Sequence, residues 1–485
     1  GADGNDTLSI GGSASAAVVI GGSGADTIRI NGALVGGSSV WGGASVPDSL
    51  DLADYISIGG AITSSSIHGA AGNDSVVVGG AVVSGLIDTG EDDDTVSVAG
   101  GYTSSYFSGG IGNDTLVVGG DAVKSTILGG SATDTRDDGA DSIRIAGNVT
   151  SSSIAANQAD DLVTIRGVVL ASSIGGGVGN DSIWIGGTVD SLSSIVGGSG
   201  NDFVSFSDRV IGSSSVLGND GEDTILVRSD VGVLATENNA TGSRAFVDGG
   251  IGNDLISIDG QLAGSSSLLG GTGNDLLYVT AVEQSLLDGG EGADTITIRG
   301  GVSNSSSVIG GAGDDLITVG GAIIGASSLN AGSGADTVVV VGAVTSSTLN
   351  AEAGNDLISI GGGLTAASIM GGDGNDSFNL SGVITNSTIN TGSGLDSIAL
   401  FGTSDHLLAV TGSLTSTTII GSSGSDSINV LTSLTSGLVS LDAGTDSVYF
   451  GAQVTASTVV GARWNDTISL SGANDDLSFS SATNA

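Results

Sequence analysis

The chain has 485 residues, with 87 Gly, one Pro, one Met and no Cys, and its 52 acidic residues against 10 basic ones give a formal net charge of −42. A surface that acidic repels phosphate backbones and anionic lipid, and the lack of cysteine excludes a disulfide framework, a thiolate zinc site and a cysteine nucleophile. His68 and His406 are the whole histidine complement, which leaves little material for imidazole acid–base chemistry.

No apolar run approaches the roughly 18 residues of a membrane helix, and the first residues show no basic segment followed by an apolar one. The expectation is a chain that is not an enzyme, does not bind nucleic acid and does not insert in a membrane.

Read in chain order, one pattern recurs. A Gly-rich turn ends on Asp6, and Asp26 closes the next; after an insertion near 42–53 come Asp54, Asp74, Asp94 and Asp114. A second insertion near 129–140 leads to Asp141, Asp161, Asp181, Asp202 and Asp223. A third, near 235–245, leads to Asp254, Asp275, Asp294, Asp315, Asp336, Asp356, Asp376 and Asp396. A fourth, near 401–411, leads to Asp426, Asp446 and Asp466. Of the 21 intervals, 17 are 19 to 21 residues long, a period that marks stacked repeats.

Each period reads as strand, turn, strand, turn. After Asp356 come Ile358 and Ile360, alternating as a strand with one buried face does. Gly361–Gly363 then turn the chain, and Leu364 to Ile369 return it. Such a coil cannot bury its aliphatic face alone, so the coils are expected to stack. The predicted fold is all-β: a right-handed parallel β-solenoid of about 22 coils, forming one continuous domain over residues 1–485 without helix. Narrow coils also account for an aromatic content of only 3%.

Nine turns read Gly-Gly-x-Gly-x-Asp in full, among them Gly21–Asp26, Gly109–Asp114 and Gly270–Asp275. Glycine lets main-chain carbonyls face inward, and stacking places a carboxylate and several carbonyls above the same set in the next coil. An all-oxygen cage of that kind suits Ca2+. A bare column of carboxylates about 5 Å apart would instead be strongly self-repelling.

These turns resemble the nonapeptide of the repeats-in-toxin family, Gly-Gly-x-Gly-x-Asp-x-aliphatic-x. The resemblance covers essentially the whole chain and implies a calcium-binding β-roll. The family coil usually has 18 residues with calcium along both edges, whereas this chain has one such turn per 20 residues. Ions are therefore expected along one edge, an arrangement similar to the calcium-bound repeats of certain bacterial ice-binding adhesins. Carried over, the ligand side chains are the Asp residues named above. Further oxygens come from glycine carbonyls such as Gly22, Gly24, Gly110, Gly112, Gly198, Gly200, Gly250, Gly252, Gly271, Gly273, Gly372 and Gly374. About 20 Ca2+ ions are expected. Asp54, Asp94, Asp161 and Asp466 lack the Gly two residues earlier. Asp48 and Asp51, with Asp134, Asp137 and Asp138, add acids in two insertions, either to complete irregular sites or as solvated loop charge.

Other signals are weak. No Gly-Lys-Ser/Thr follows any turn, and strings such as Asn113-Asp114-Thr115 arise from the repeat itself. His406 is expected at the surface, and Trp41, Trp184 and Trp464 in core or edge packing. The Ser/Thr runs 63–66, 151–153, 265–267 and 305–307 are expected to face outward, as a neutral face or as a contact surface for neighbours or sugars.

The expected function is a structural array or filament at a bacterial cell surface, as in surface layers and matrices. Its partners would be Ca2+, further copies of the chain end-to-end or laterally, and a cell-surface glycan. The resemblance implies one-step export of an unfolded chain that folds in extracellular calcium. The alternatives are an extender or ligand-binding segment of a large adhesin, and the secretion module of an enzyme or toxin. Ice binding is disfavoured by the irregular residues before the last turn glycine (Ser23, Ala71, Ile111, Val178, Thr272, Glu291).

Overall fold

The computed structural model describes residues 3–43, 51–131, 138–234, 243–401, 405–421, 424–441, 444–461, 466–471 and 477–481. Asp48, Asp134, Asp137 and Trp464, with most of the third insertion, lie outside them. The chain divides into two compact units, 1–232 with 243–255, and 233–242 with 256–485. The described residues are strands, turns and bends with no helix, and each unit is a stack of β-coils. Counted by the turn aspartates, the two stacks hold about 22 coils.

A coil of the first unit shows the plan. Tyr55–Ile58 forms a four-residue strand, Gly59–Gly60 bends the chain, and Ile62–Thr63 forms a two-residue strand. Ser66–Ala71 is the third. The next coil repeats it as Ser75–Val78, Val82–Val83 and Leu86–Glu91. All three pairs are parallel and in register: Val76 on Ile56, Val82 on Ile62, Ile87 on Ile67. Register is fixed because a one-residue slip would turn every aliphatic side chain outward.

The core is four aliphatic columns. Ile56, Ile58, Ile62 and Ile67 are at most 1% exposed, as are Val76, Val78, Val82 and Ile87 in the coil above. Each such burial contributes roughly 1.5–3 kcal/mol. Tyr102, Phe107, Phe206, Phe378 and Phe450 are the large rings that fit within the columns.

The second edge differs from its expectation. The middle serines of the Ser runs point inward: Ser65 is 7% exposed, and Ser266 and Ser306 are 1% exposed. Ser105 shows why. Its Oγ accepts the amide of Gly85 (3.2 Å) from the preceding coil and donates to the Thr103 carbonyl (2.8 Å), while its own amide donates to Ser125 Oγ (3.2 Å). The hydroxyls thus replace water for main-chain amides that the tight corner buries. The residue before each serine takes left-handed φ, as at Ser64 (46°) and Lys124 (50°).

In the second unit the coil changes phase once. Ser397–Phe401 pairs with Thr418–Ile420, while Leu407–Thr415 lies on Ser387–Gly394 and carries Ser427–Val430. The register Ser397↔Thr418 sets Thr417, in the serine column, against Asp396, and Leu407↔Ser427 sets His406 against Asp426. Each coil keeps one aspartate turn. Up to Asp396 these turns follow one edge, and from Asp426 they occupy the edge where serines stood. His406 is accordingly not at the surface. It is 2% exposed, and it fills an aspartate rung: its amide donates to Asp426 Oδ1 (3.1 Å) and its carbonyl accepts the Ser427 amide (2.6 Å).

Candidate metal centre

The turn aspartates form a ladder. The Asp26 amide donates to Asp54 Oδ1 at 2.6 Å, that of Asp54 to Asp74 at 2.7 Å, and that of Asp74 to Asp94 at 2.6 Å. In the second unit the Asp294, Asp315 and Asp336 amides donate to the next carboxylate, each at 2.8 Å. The side chains are nearly sealed, with Asp181, Asp294 and Asp336 at 1% exposure. One oxygen of each carboxylate is thereby satisfied.

The other is not. Oδ2 of Asp26, Asp54, Asp74, Asp114, Asp141, Asp181, Asp202 and Asp223 is buried without a hydrogen-bond partner, and so is Oδ2 of Asp294, Asp315, Asp336, Asp356 and Asp376. Burying an unpaired carboxylate oxygen is costly, and here the cost recurs at nearly every coil. At many turns this oxygen shares its space with a main-chain carbonyl. A Cβ on Gly109 would overlap both Asp114 Oδ2 and the Gly129 carbonyl; one on Gly289 would overlap Asp294 Oδ2 and the Gly310 carbonyl.

The glycines expected to supply carbonyls stack on one another in columns of their own, while the carbonyls beside Oδ2 belong to the first glycine of each pair, such as Gly129 and Gly310. The Gly90 carbonyl lies where a Cβ of Gly110 would be, and the Gly271 and Gly273 carbonyls lie likewise against Gly290 and Gly292. Gly110 has φ +115° and Gly292 +125°, conformations a residue with Cβ rarely adopts. The donors are therefore hard oxygens in a flexible count, which fits Ca2+. Among the described residues no three His, Cys, Asp or Glu side chains gather on one point, so a cation here would be held largely by main-chain carbonyls.

Burial also acts on the acidity of the ladder. Desolvation, partly opposed by the amide hydrogen bond and reinforced by neighbouring carboxylates, raises Asp74 to about 8 and Asp94 and Asp141 to about 9. In the second unit the same causes raise Asp315 and Asp356 to about 7. A proton or a cation must stand in for the missing counter-charge.

Not every turn is alike. Thr89 occupies the glycine place before Asp94 and donates its hydroxyl to the Gly109 carbonyl (2.7 Å), while Ala331 and Ala351 put a buried methyl before Asp336 and Asp356. A second, exposed ladder was not anticipated. Asn180 Oδ1 accepts the Asn201 amide (2.8 Å), Asn201 Oδ1 that of Glu222 (2.9 Å), and Asn355 Oδ1 that of Asn375 (2.8 Å). The recurring Asn before the turn aspartate was the available signal, and its side chain caps the coil above. Trp41 stacks on His68 at 4.0 Å. Trp184, expected in packing, is 44% exposed and lies over Phe203 at 4.8 Å.

No protein-family model matches the sequence, and no curated protein does. Among solved structures the chain is similar to a hyperactive, Ca2+-dependent, β-helical antifreeze protein from an Antarctic bacterium. The two share 24% identity with a TM-score of 0.43, over 64% of this chain and 81% of that one.

Proposed function

We propose that this chain is an extracellular calcium-binding structural protein whose coils order as the ion column fills, and which then associates with further copies into a surface array or filament. The observation that carries the reading is the ladder of buried carboxylate oxygens left without partners beside columns of glycine carbonyls. Calcium, when bound, supplies the positive charge that this column lacks. The chain's own residues do the rest. Oδ1 of each aspartate holds the coil below by its amide, Oδ2 faces the gap, and the glycines give the carbonyls room to approach.

The reading also explains the charge. Without ions, 52 acidic residues against 10 basic ones disfavour a compact state by self-repulsion, which suits a chain exported unfolded into a calcium-rich medium. Its sites would fall in the roughly 10⁻⁴–10⁻³ M range of extracellular modules.

Sedimentation velocity with calcium and then with EGTA tests the assembly. Reversible growth of large species in calcium supports an array protein. A monomer at every calcium concentration would overturn the assembly, and thermal hysteresis in that monomeric sample would put ice binding in its place.

A further inference from the structure

Two of the long intervals rejoin the ladder in the same way. Asp51 and Asp138 each stand three residues before a turn aspartate, Asp54 and Asp141. Regular coils carry apolar residues such as Ile111 and Val178 at this place, or acids that stay exposed, as Glu91, Asp220, Glu291 and Asp373 do, and the third long interval carries Ile251; Val178 and Ile251 are 57% and 60% exposed. Asp51 is instead folded inward and only 8% exposed.

Both carboxylates come to rest on a glycine pair. A Cβ on Gly43 would overlap Asp51 Oδ2, and one on Gly130 would overlap both oxygens of Asp138. The preceding glycines, Gly42 and Gly129, face Oδ2 of Asp54 and of Asp141 in the same manner. Two carboxylates therefore turn inward over adjacent residues at each place, where an ordinary rung turns in only one.

The polar accounting does not close at either place. Asp54 and Asp141 are each 3% exposed, and their Oδ2 atoms, like Asp138 Oδ1, are buried without partners. Asp51 Oδ2 reaches the Ala71 amide at 3.4 Å and its Oδ1 the Leu52 amide at 3.2 Å. Those contacts hold Asp51 in place without neutralising it. Its charge bears on Asp54 and Asp74, and that of Asp138 on Asp114, Asp141 and Asp161.

We propose that the turns closed by Asp51 with Asp54, and by Asp138 with Asp141, are two cation sites of a second class, which take a hard divalent ion through two carboxylates ahead of the single-carboxylate rungs. Ligand charge is what tunes affinity among all-oxygen calcium sites, so these two fill first and start the ordering of the coils around them. The proposal rests on the calcium reading of the ladder.

Calorimetric titration of the EGTA-stripped full chain with calcium alone tests it. The expected isotherm has two ions bound at least about tenfold more tightly than the remainder. Asp51→Asn with Asp138→Asn is expected to abolish the tight class and keep the weak one, because Asn retains an acceptor for the Ala71 amide but not the charge. If the double variant does not fold in calcium, each single variant is expected to keep one tight ion. A single class in the native chain, or a tight class that survives the substitutions, overturns the proposal while leaving the ladder reading intact. A native chain that binds no calcium ends both.

Discussion

Asp315→Asn is expected to stabilise the cation-free protein and to destabilise the calcium-loaded one. Asp315 is 2% exposed, and its Oδ1 accepts the Asp294 amide at 2.8 Å. An Asn keeps that acceptor and removes the buried charge, which Asp294, Asp336 and Asp314 repel. Without calcium and above neutral pH the gain is about 1–3 kcal/mol, the scale on which a poorly compensated buried polar group destabilises a fold. With calcium, the site loses its anionic ligand. One ion lost costs about 2.7 kcal/mol when free calcium is about 100 times its Kd, and the neighbouring gap weakens too. Asp315→Ala separates the roles, since it also strands the Asp294 amide at about 1–3 kcal/mol and should destabilise in calcium more than the Asn variant does. Urea unfolding of the three proteins in calcium, and the pH at which each loses its β signal when titrated upward from mildly acidic pH in EGTA, read all of this. An Asn variant that shifts in the same direction under both conditions would contradict the account.

The second large effect is the pH dependence of the cation-free protein. The carboxyls of Asp74, Asp94, Asp141 and Asp161 are raised in the folded state to about 8 or 9, chiefly by desolvation. An unfolded aspartate titrates near 3.9, so the folded chain holds protons more tightly than the unfolded one. The stability they contribute is complete below about pH 4 and is lost as pH rises through the folded values, over roughly pH 4 to 9. Calcium reverses the trend, because loading displaces those protons and affinity rises with pH. Melting temperature measured from mildly acidic to alkaline pH should fall steeply in EGTA and stay flat or rise in calcium. The first unit, which holds Asp181 and Asp223 at about 6 as well, should respond over a broader range that extends to higher pH than the second, where Asp315 and Asp356 reach about 7 and Asp294 and Asp376 about 6.

Much of this was legible in the sequence, because a solenoid repeats one local solution many times. The Asp spacing located the rungs, and the alternation of residues such as Ile358 and Ile360, with Leu364 and Ile369 beyond them, located the core columns. All four are at most 1% exposed. What was not legible depended on neighbours in the stack. Ser105 reads as a polar surface residue, and only its position above Gly85 and below Ser125 makes it a buried acceptor. His406 breaks the Asp pattern, so spacing alone did not count it as a rung, and the change of ladder edge around it became visible only through strand pairing. Asp51 and Asp138 could be named as additional acids, but their inward turn depends on the glycine pairs beneath them.

Circular dichroism of the full chain at neutral pH, as calcium is withdrawn with EGTA and then restored, tests the central claim most directly. If the carboxylate ladder is a calcium column on which the coils depend, the β signal is lost on withdrawal and returns cooperatively when calcium is added back. A β signal unchanged in excess EGTA would contradict it.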